Sequence, residues 1–275
     1  MERFTTSDGV AIAYDYDDSA PDGLPPVVLL HGFGVDSQIN WGTPGIVDGL
    51  ADADRKTVIL DARGHGESGK PADAPREPAA GEPADAPNEP AAGIYGEPRM
   101  ALDVRELVDE LGVESYDLVG YSMGAITALL IAAADPRVRR LVVGGVGAGV
   151  IEVGGLDTRE LPPELIVPAL LADDPTAAGL HPLGVAWRSF LDTAGADRVA
   201  LAAQLQAAHK GGVDLNAITV PTMVLVGDSD NLARNPELLA DALPDGRVYR
   251  LPAADHLGAP SHPRFLTAIS DFLAG

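Results

Sequence analysis

The 275-residue sequence contains no cysteine, which excludes disulfide bonds, thiolate nucleophiles and cysteine metal sites. No apolar run approaches the roughly 18 residues that a membrane-spanning helix needs. The first eight residues, Met1 to Asp8, lack the basic start and apolar core of a signal peptide. Chains without disulfides are typical of reducing compartments. We therefore expect a cytoplasmic protein with no membrane as a partner.

Basic residues are also scarce. Lys and Arg number 19 against 41 Asp and Glu, giving a net charge of −22, and the only lysines are Lys56, Lys70 and Lys210. This charge argues against nucleic acid and anionic membrane surfaces as partners. Two interpretations of the acidity stay open: a surface that keeps the protein soluble, or repulsion of anionic substrates and carboxylate products. The oligomeric state cannot be read from the sequence.

What the sequence does contain is a series of short apolar runs separated by helix-like segments. Residues 3–17 alternate around a turn signal at Ser7-Asp8-Gly9 and predict a hairpin. Strands alternating with helices predict one large α/β domain whose mostly parallel sheet is covered on both faces. Helical spacing or composition predicts helices over 98–111, 125–133 and 263–273. Continuous apolar runs predict strands buried on both faces at 27–30 and 57–60, and further strands are predicted at 116–119, 138–143, 222–226 and 248–251.

Residues 70–93 are a tandem duplication. The halves 70–81 (KPADAPREPAAG) and 82–93 (EPADAPNEPAAG) match at ten of twelve positions. Frequent proline among Ala, Glu and Asp predicts extended, solvated chain that builds no core. We favour an insert in a permissive surface loop. The alternative is a flap over the functional site, because this loop leaves the sheet at the same edge as the Ser122 turn described below.

A second unusual segment runs from Gly144 to about Val213, between two predicted strands, and is too long for a simple crossover. Its apolar spacing predicts helices over 164–171, 185–193 and 197–208. We expect a core made of residues 1–148 and 214–275, and a helical lid made of residues 149–213. Trp187 and Phe190 lie in this lid, either as its own packing core or as lining of a substrate pocket.

Ser122 lies at the centre of Val119-Gly120-Tyr121-Ser122-Met123-Gly124-Ala125, between a predicted strand and a predicted helix. A tight turn packed against its neighbours leaves no room for a Cβ at Gly120 or Gly124. Such a turn exposes the serine hydroxyl and directs the first N–H groups of the helix toward the atom it attacks. Gly-x-Ser-x-Gly in this setting resembles the nucleophile elbow of the α/β-hydrolase family.

Two further segments extend the resemblance, since a serine hydroxyl needs a base and an acid that orients the base. His256 follows the last predicted strand, where the family places its base. Asp228 and Asp230 both follow the strand at 222–226, and the family's spacing after Gly227 selects Asp230. Asp228 is then interpreted as a turn former that accepts backbone N–H groups. The order Ser122, Asp230, His256 is that of the family.

The segment His31-Gly32-Phe33-Gly34 resembles the family's His-Gly loop, which implies that the N–H groups of Phe33 and Met123 form the oxyanion hole. His31 is then a residue that orders the loop. The motif Asp61-x-Arg63-Gly64-His65-Gly66-x-Ser68 resembles a second family hallmark, and we interpret it as a structural turn. His181, His209 and His262 have no partners at metal-ligand spacing, so neither a metal nor a cofactor is expected.

These motifs together predict an α/β-hydrolase fold and a serine hydrolase that cleaves small carboxylic esters through an acyl-enzyme. Lactone hydrolysis, cleavage of carbon–carbon bonds next to ketones and peracid formation are alternatives that use the same triad. A ligand receptor with incidental turnover is the alternative outside enzymes. The chain-length preference cannot be read from the sequence, because it depends on the lid.

Overall fold

The computed structural model describes residues 1–21, 23–71 and 92–275. Its centre is an eight-stranded sheet in the order β1-β2-β4-β3-β5-β6-β7-β8. β1 pairs antiparallel with β2, and β2 with β4, while every other neighbouring pair is parallel. The strands are β1 Glu2–Thr5, β2 Ala11–Asp17, β3 Val27–Leu30, β4 Thr57–Leu60, β5 Tyr116–Tyr121, β6 Val138–Gly144, β7 Thr222–Gly227 and β8 Gly246–Leu251.

Helices cover both faces of the sheet, as the sequence predicts. β5 shows why: Leu118 packs into a hydrophobic cluster on one face of the sheet, and Val119 packs into a second hydrophobic cluster on the other face. Since neighbouring strand residues point to opposite faces, a strand with helices on both sides must be apolar throughout. The helices are α1 Ile46–Ala51, α2 Ala92–Tyr95, α3 Glu97–Glu110, α4 Met123–Ala132, α5 Gly149–Glu152, α6 Pro163–Leu171, α7 Pro182–Thr193, α8 Arg198–Ala207, α9 Pro236–Asp241 and α10 Phe265–Ala274.

Four of these helices, α5 to α8, lie between β6 and β7, and we call residues 145–221 the insert. The three helices predicted there are present as α6, α7 and α8. Buried Arg188 of α7 donates from Nη1 to the carbonyls of Ala169 and Ala172, at 3.0 and 2.5 Å, and so joins α7 to the end of α6. Asp197 caps α8 by accepting the N–H groups of Val199 and Ala200. The division into a core of residues 1–148 and 214–275 and a lid of residues 149–213 stays a prediction.

The ends of the tandem duplication are in the described part of the chain, whereas residues 72–91 lie outside it. Both interpretations of the duplication, the surface loop and the flap, concern these residues and stay predictions. The described segments that were not predicted from the sequence include the short helices α1, α2, α5 and α9 and a π-helical turn at Gln38–Gly42.

Candidate active site

Ser122 occupies the sharp turn between β5 and α4, with φ 54° and ψ −115°. Positive φ is uncommon for a residue with a side chain and costs on the order of 1–3 kcal/mol, so the surrounding packing must maintain it. A Cβ at Gly120 would collide with the backbone of Gly124 and Ala125, and one at Gly124 would collide with the Leu30 and His31 carbonyls. The glycines therefore permit the close packing that keeps the turn strained.

The structure brings Ser122, His256 and Asp230 together from three separate parts of the chain. His256 Nε2 lies 3.0 Å from Ser122 Oγ, and His256 Nδ1 lies 2.8 Å from Asp230 Oδ2. With Nδ1–H donating to the carboxylate, Nε2 is free to accept the serine proton. Tyr121 supports this arrangement, since its hydroxyl donates to the main-chain carbonyl of His256 at 2.5 Å. Sequence reasoning missed Tyr121, whose only signal is its place beside the serine.

Asp230 and Asp228 have different surroundings. Asp230 is almost fully buried, and its second oxygen, Oδ1, accepts the N–H groups of Leu232 and Ala233 at 2.9 and 3.2 Å. Asp228 is half-exposed, and its carboxylate lies 3.9 Å from the Arg250 guanidinium. The interpretation of Asp228 as the residue that accepts backbone N–H groups is therefore wrong. Asp230 does this itself, because the turn folds its carboxylate inward.

His31 and His65 are buried beside the His-Gly loop. His31 Nε2 accepts the Ala62 N–H at 2.8 Å, and His65 Nε2 accepts the Gly34 N–H at 3.2 Å. Each ring has its Nδ1 within 3.2 Å of a main-chain carbonyl, to which Nδ1–H donates. Burial lowers the pKa of both, that of His65 to about 3. Both rings are therefore neutral, and they connect the loop to the turn after β4.

Acid is expected to destabilise the fold through His65. The unfolded histidine gains a proton below its ordinary pKa of about 6.5, whereas the folded one stays neutral until about pH 3. The unfolded state thus binds more protons, and the free energy of unfolding falls by up to about 1.4 kcal/mol per pH unit in this window. Urea unfolding of the wild type and His65→Gln at pH 7 and pH 5 measures this. The free energy of unfolding of the wild type should exceed that of His65→Gln by less at pH 5 than at pH 7. An equal excess at the two pH values contradicts the prediction.

The two oxyanion donors predicted from the sequence are close to the serine: Met123 follows it in the chain, and Phe33 lines the same pocket. The N–H groups of Phe33 and Met123 have no acceptor among the described residues. The neighbouring Gly32 N–H does have one: Asn40 Oδ1, at 2.9 Å. Asn40 is buried in the π-helical turn and holds the His-Gly loop beside the serine. Sequence reasoning missed it, because the turn has no recognisable helical pattern.

A pocket of about 80 Å³ opens above Ser122. Trp187 lies in its wall, and its ring is 6.1 Å from that of Phe33, centre to centre. Phe190 is not among the described residues of the wall. It packs edge-on against Trp187 at 5.7 Å and lies behind it, close to Gly34. The wall is formed by Gly32, Phe33, Val35, Ile39, Asn40, Pro44, Tyr121, Ser122, Leu161, Trp187, Leu232, His256, Leu257, Pro260 and Ser261.

The described residues contain neither a group of metal ligands nor a helix that could span a membrane. Within 1–21, 23–71 and 92–275, no three His, Asp or Glu side chains are grouped so that they could bind a metal ion. In the same ranges, no helix has the length and apolar character required to cross a membrane.

Comparison with known proteins agrees with the fold. Residues 25–175 match the sequence profile of the alpha/beta hydrolase fold. The chain belongs to the α/β-hydrolase family. The match covers the His-Gly loop and the elbow, and extends into the insert.

Individual relatives differ in the activities for which they are named. A Bacillus subtilis (strain 168) protein described as a candidate 2-succinyl-6-hydroxy-2,4-cyclohexadiene-1-carboxylate synthase is 26% identical, covering 98% of this chain and 97% of that one. The Xenopus tropicalis sn-1-specific diacylglycerol lipase ABHD11 is 35% identical over 130 residues, 46% of this chain and 33% of the lipase. A thermophilic esterase structure from Thermogutta terrifontis superposes with a TM-score of 0.66 at 25% identity, covering 100% of this chain and 98% of that one.

Proposed function

We propose that this protein is a serine hydrolase of small, neutral carboxylic esters. The observation that carries the proposal is the chain of hydrogen bonds from Ser122 through His256 to Asp230 beneath an apolar pocket. His256 accepts the hydroxyl proton as Ser122 attacks the ester carbonyl, and Asp230 orients the ring and stabilises its charge. The alcohol leaves with that proton, and water then attacks the acyl-enzyme and releases a carboxylic acid. No cofactor takes part in these steps.

The oxyanion formed in each step needs donors that already point to it. We propose the N–H groups of Phe33 and Met123, because neither has an acceptor among the described residues, Met123 follows Ser122 directly, and Phe33 lines the same pocket. Preorganised donors in a site with little water stabilise developing charge without having to reorient.

The pocket favours a neutral, short acyl group. Its described wall residues include no lysine or arginine, and most of them are apolar. The name of the Bacillus subtilis relative denotes a carboxylate, and a carboxylated ligand would find no cation in this wall. A volume of about 80 Å³ is small beside the roughly 300–1,000 Å³ of pockets that hold drug-sized ligands. We therefore expect the acyl chain to have only a few carbon atoms.

Residues 149–213 of the insert are proposed as a lid over this pocket, because Leu161 and Trp187 line the wall. Phe190 then acts by supporting Trp187. We propose a cytoplasmic enzyme whose partners are small-molecule esters and do not include nucleic acid or membranes; the net charge of −22 supports the exclusion of anionic polymers and surfaces.

A series of p-nitrophenyl esters from acetate to palmitate tests the proposal. We expect kcat/KM to be highest for acyl chains of about two to six carbons and to fall steeply beyond, since longer chains exceed the pocket. A γ-lactone and a vinylogous diketone, assayed in parallel, test the lactonase and carbon–carbon alternatives. If either compound is turned over far faster than every ester, its cleavage replaces ester cleavage as the proposed activity. Binding of these compounds without turnover would indicate a receptor.

Asn40→Ala is expected to lower kcat about tenfold with KM nearly unchanged. Losing the Asn40 carbonyl leaves the Gly32 N–H unpaired and frees the loop that presents Phe33, so the loss falls on transition-state stabilisation. An unpaired buried N–H also lowers the free energy of unfolding by about 1–3 kcal/mol. Gln38→Ala, which removes an exposed amide from the same turn, is the control. It should change neither kcat nor the free energy of unfolding. A raised KM at constant kcat would instead place Asn40 in substrate binding.

A further inference from the structure

A second cavity, of about 230 Å³, lies at the edge of the sheet opposite Ser122. Asp117 in its wall and Ser122 are at the two ends of β5, so at about 3.3 Å per residue they are roughly 17 Å apart. The wall continues through the start of β6 and the end of α10. This cavity is therefore separate from the candidate active site.

A buried ion pair forms one wall of this cavity. Arg55 Nη2 donates to Asp117 Oδ2 at 2.5 Å and to the Pro25 carbonyl at 3.0 Å, and both charged side chains are less than a tenth exposed. Asp117 is the only carboxylate among the described residues of the wall. One carboxylate balances the charge of only one guanidinium group, and Arg55 is the one that is hydrogen-bonded to Asp117.

Two further cations are nevertheless present. Arg139 and Arg140, at the start of β6, both line the cavity. Most arginines of the described residues have a carboxylate within 4.0 Å, whereas these two, like Arg247 and Arg264, have none. In a chain with 41 acidic and 19 basic residues, adjacent arginines without such a partner are unexpected. Three arginines and one aspartate leave the cavity with an excess of two positive charges.

We propose that this cavity binds one small organic oxyanion, a phosphate monoester or a carboxylate with a short apolar chain. The planar guanidinium groups of Arg139 and Arg140 match the paired oxygens of such a group. Leu50 and Leu273 supply an apolar wall for the chain, and Leu24, which is 51% exposed, extends that wall outward. The site is independent of the proposed esterase activity.

Calorimetric titration of the full chain at low ionic strength with hexyl phosphate and with hexanoate tests the proposal. We expect one ligand per chain. We also expect binding to weaken at least tenfold in R139A/R140A and by a smaller factor in Arg140→Lys, which keeps the charge but loses the planar fork. R3A/R250A, which removes two arginines from exposed ion pairs, is the matched control and should bind within twofold of the wild type. Inorganic phosphate should bind more weakly than hexyl phosphate, because it cannot use the leucines.

The outcomes are distinct. Tighter binding of hexyl phosphate identifies a phosphate ester as the natural class, and tighter binding of hexanoate identifies a carboxylate; both support the site. No binding of either ligand, or equal binding by R139A/R140A and R3A/R250A in proteins with wild-type melting temperatures, overturns it. Competitive inhibition of ester turnover that persists in R139A/R140A would show that the ligand also enters the Ser122 pocket, and it overturns the proposal if R139A/R140A binds the ligand as tightly as the wild type does. Because binding is measured without turnover, a failed esterase assay leaves this test intact.

Discussion

Ser122→Ala is expected to reduce ester turnover by about 10³-fold or more in a protein that stays folded. Among the described residues, the Ser122 hydroxyl is the group that lies within hydrogen-bond distance of His256 Nε2, at 3.0 Å, and members of a triad act as a unit. Alanine removes one oxygen and keeps the Cβ, so the strained turn should persist. Steady-state kinetics with p-nitrophenyl acetate, together with thermal melting, measures both effects.

Ser19→Ala is the matched control, because Ser19 is exposed in the loop after β2 and lies outside the pocket wall. It should retain full activity. A fluorophosphonate reagent adds a second readout: the wild type and Ser19→Ala should each gain one adduct by mass spectrometry, and Ser122→Ala should gain none. A folded Ser122→Ala protein that keeps most of its activity would show that the nucleophile is elsewhere.

Asp230→Asn is expected to lower kcat by about 10²- to 10⁴-fold. The carboxylate has two tasks, since Oδ2 faces His256 Nδ1 while Oδ1 accepts the Leu232 and Ala233 N–H groups. An amide has only one acceptor oxygen. If that oxygen stays with the turn, the NH₂ group faces Nδ1 and stabilises the wrong tautomer, in which Nε2 cannot accept the serine proton. If it faces His256 instead, the turn N–H groups are left unpaired and stability falls.

Asp228→Asn separates the two candidates for the acid. Asp228 is half-exposed and makes only a 3.9 Å ion pair with Arg250, an interaction of the kind that is worth about 0–1 kcal/mol. Its replacement should leave both kcat and melting temperature nearly unchanged. Measuring both quantities for both variants checks the assignment. A large rate loss in Asp228→Asn with an active Asp230→Asn would reverse it.

The local sequence pattern was sufficient to predict most of the strands and helices of the core. The continuous apolar runs identified β3 and β4 because a strand covered on both faces has no polar side to interrupt the run. α1 and α9 were not predicted, because each has only six residues and too few turns for an apolar period to show. The π-helical turn that holds Asn40 lacks any such period, so this loop-holding residue was also missed.

The sequence by itself determined the family, the alternation of strands and helices, and the elbow around Ser122, since each depends on residues that are neighbours in the chain. Tertiary structure decided how Asp228 and Asp230 differ. Both follow β7 within four residues, and only the path of the turn buries one carboxylate against His256 and exposes the other. It also placed Trp187 in the pocket wall with Phe190 behind it, and left Arg139 and Arg140 without a carboxylate partner at the opposite edge. Such outcomes depend on contacts between distant segments, which no local pattern encodes.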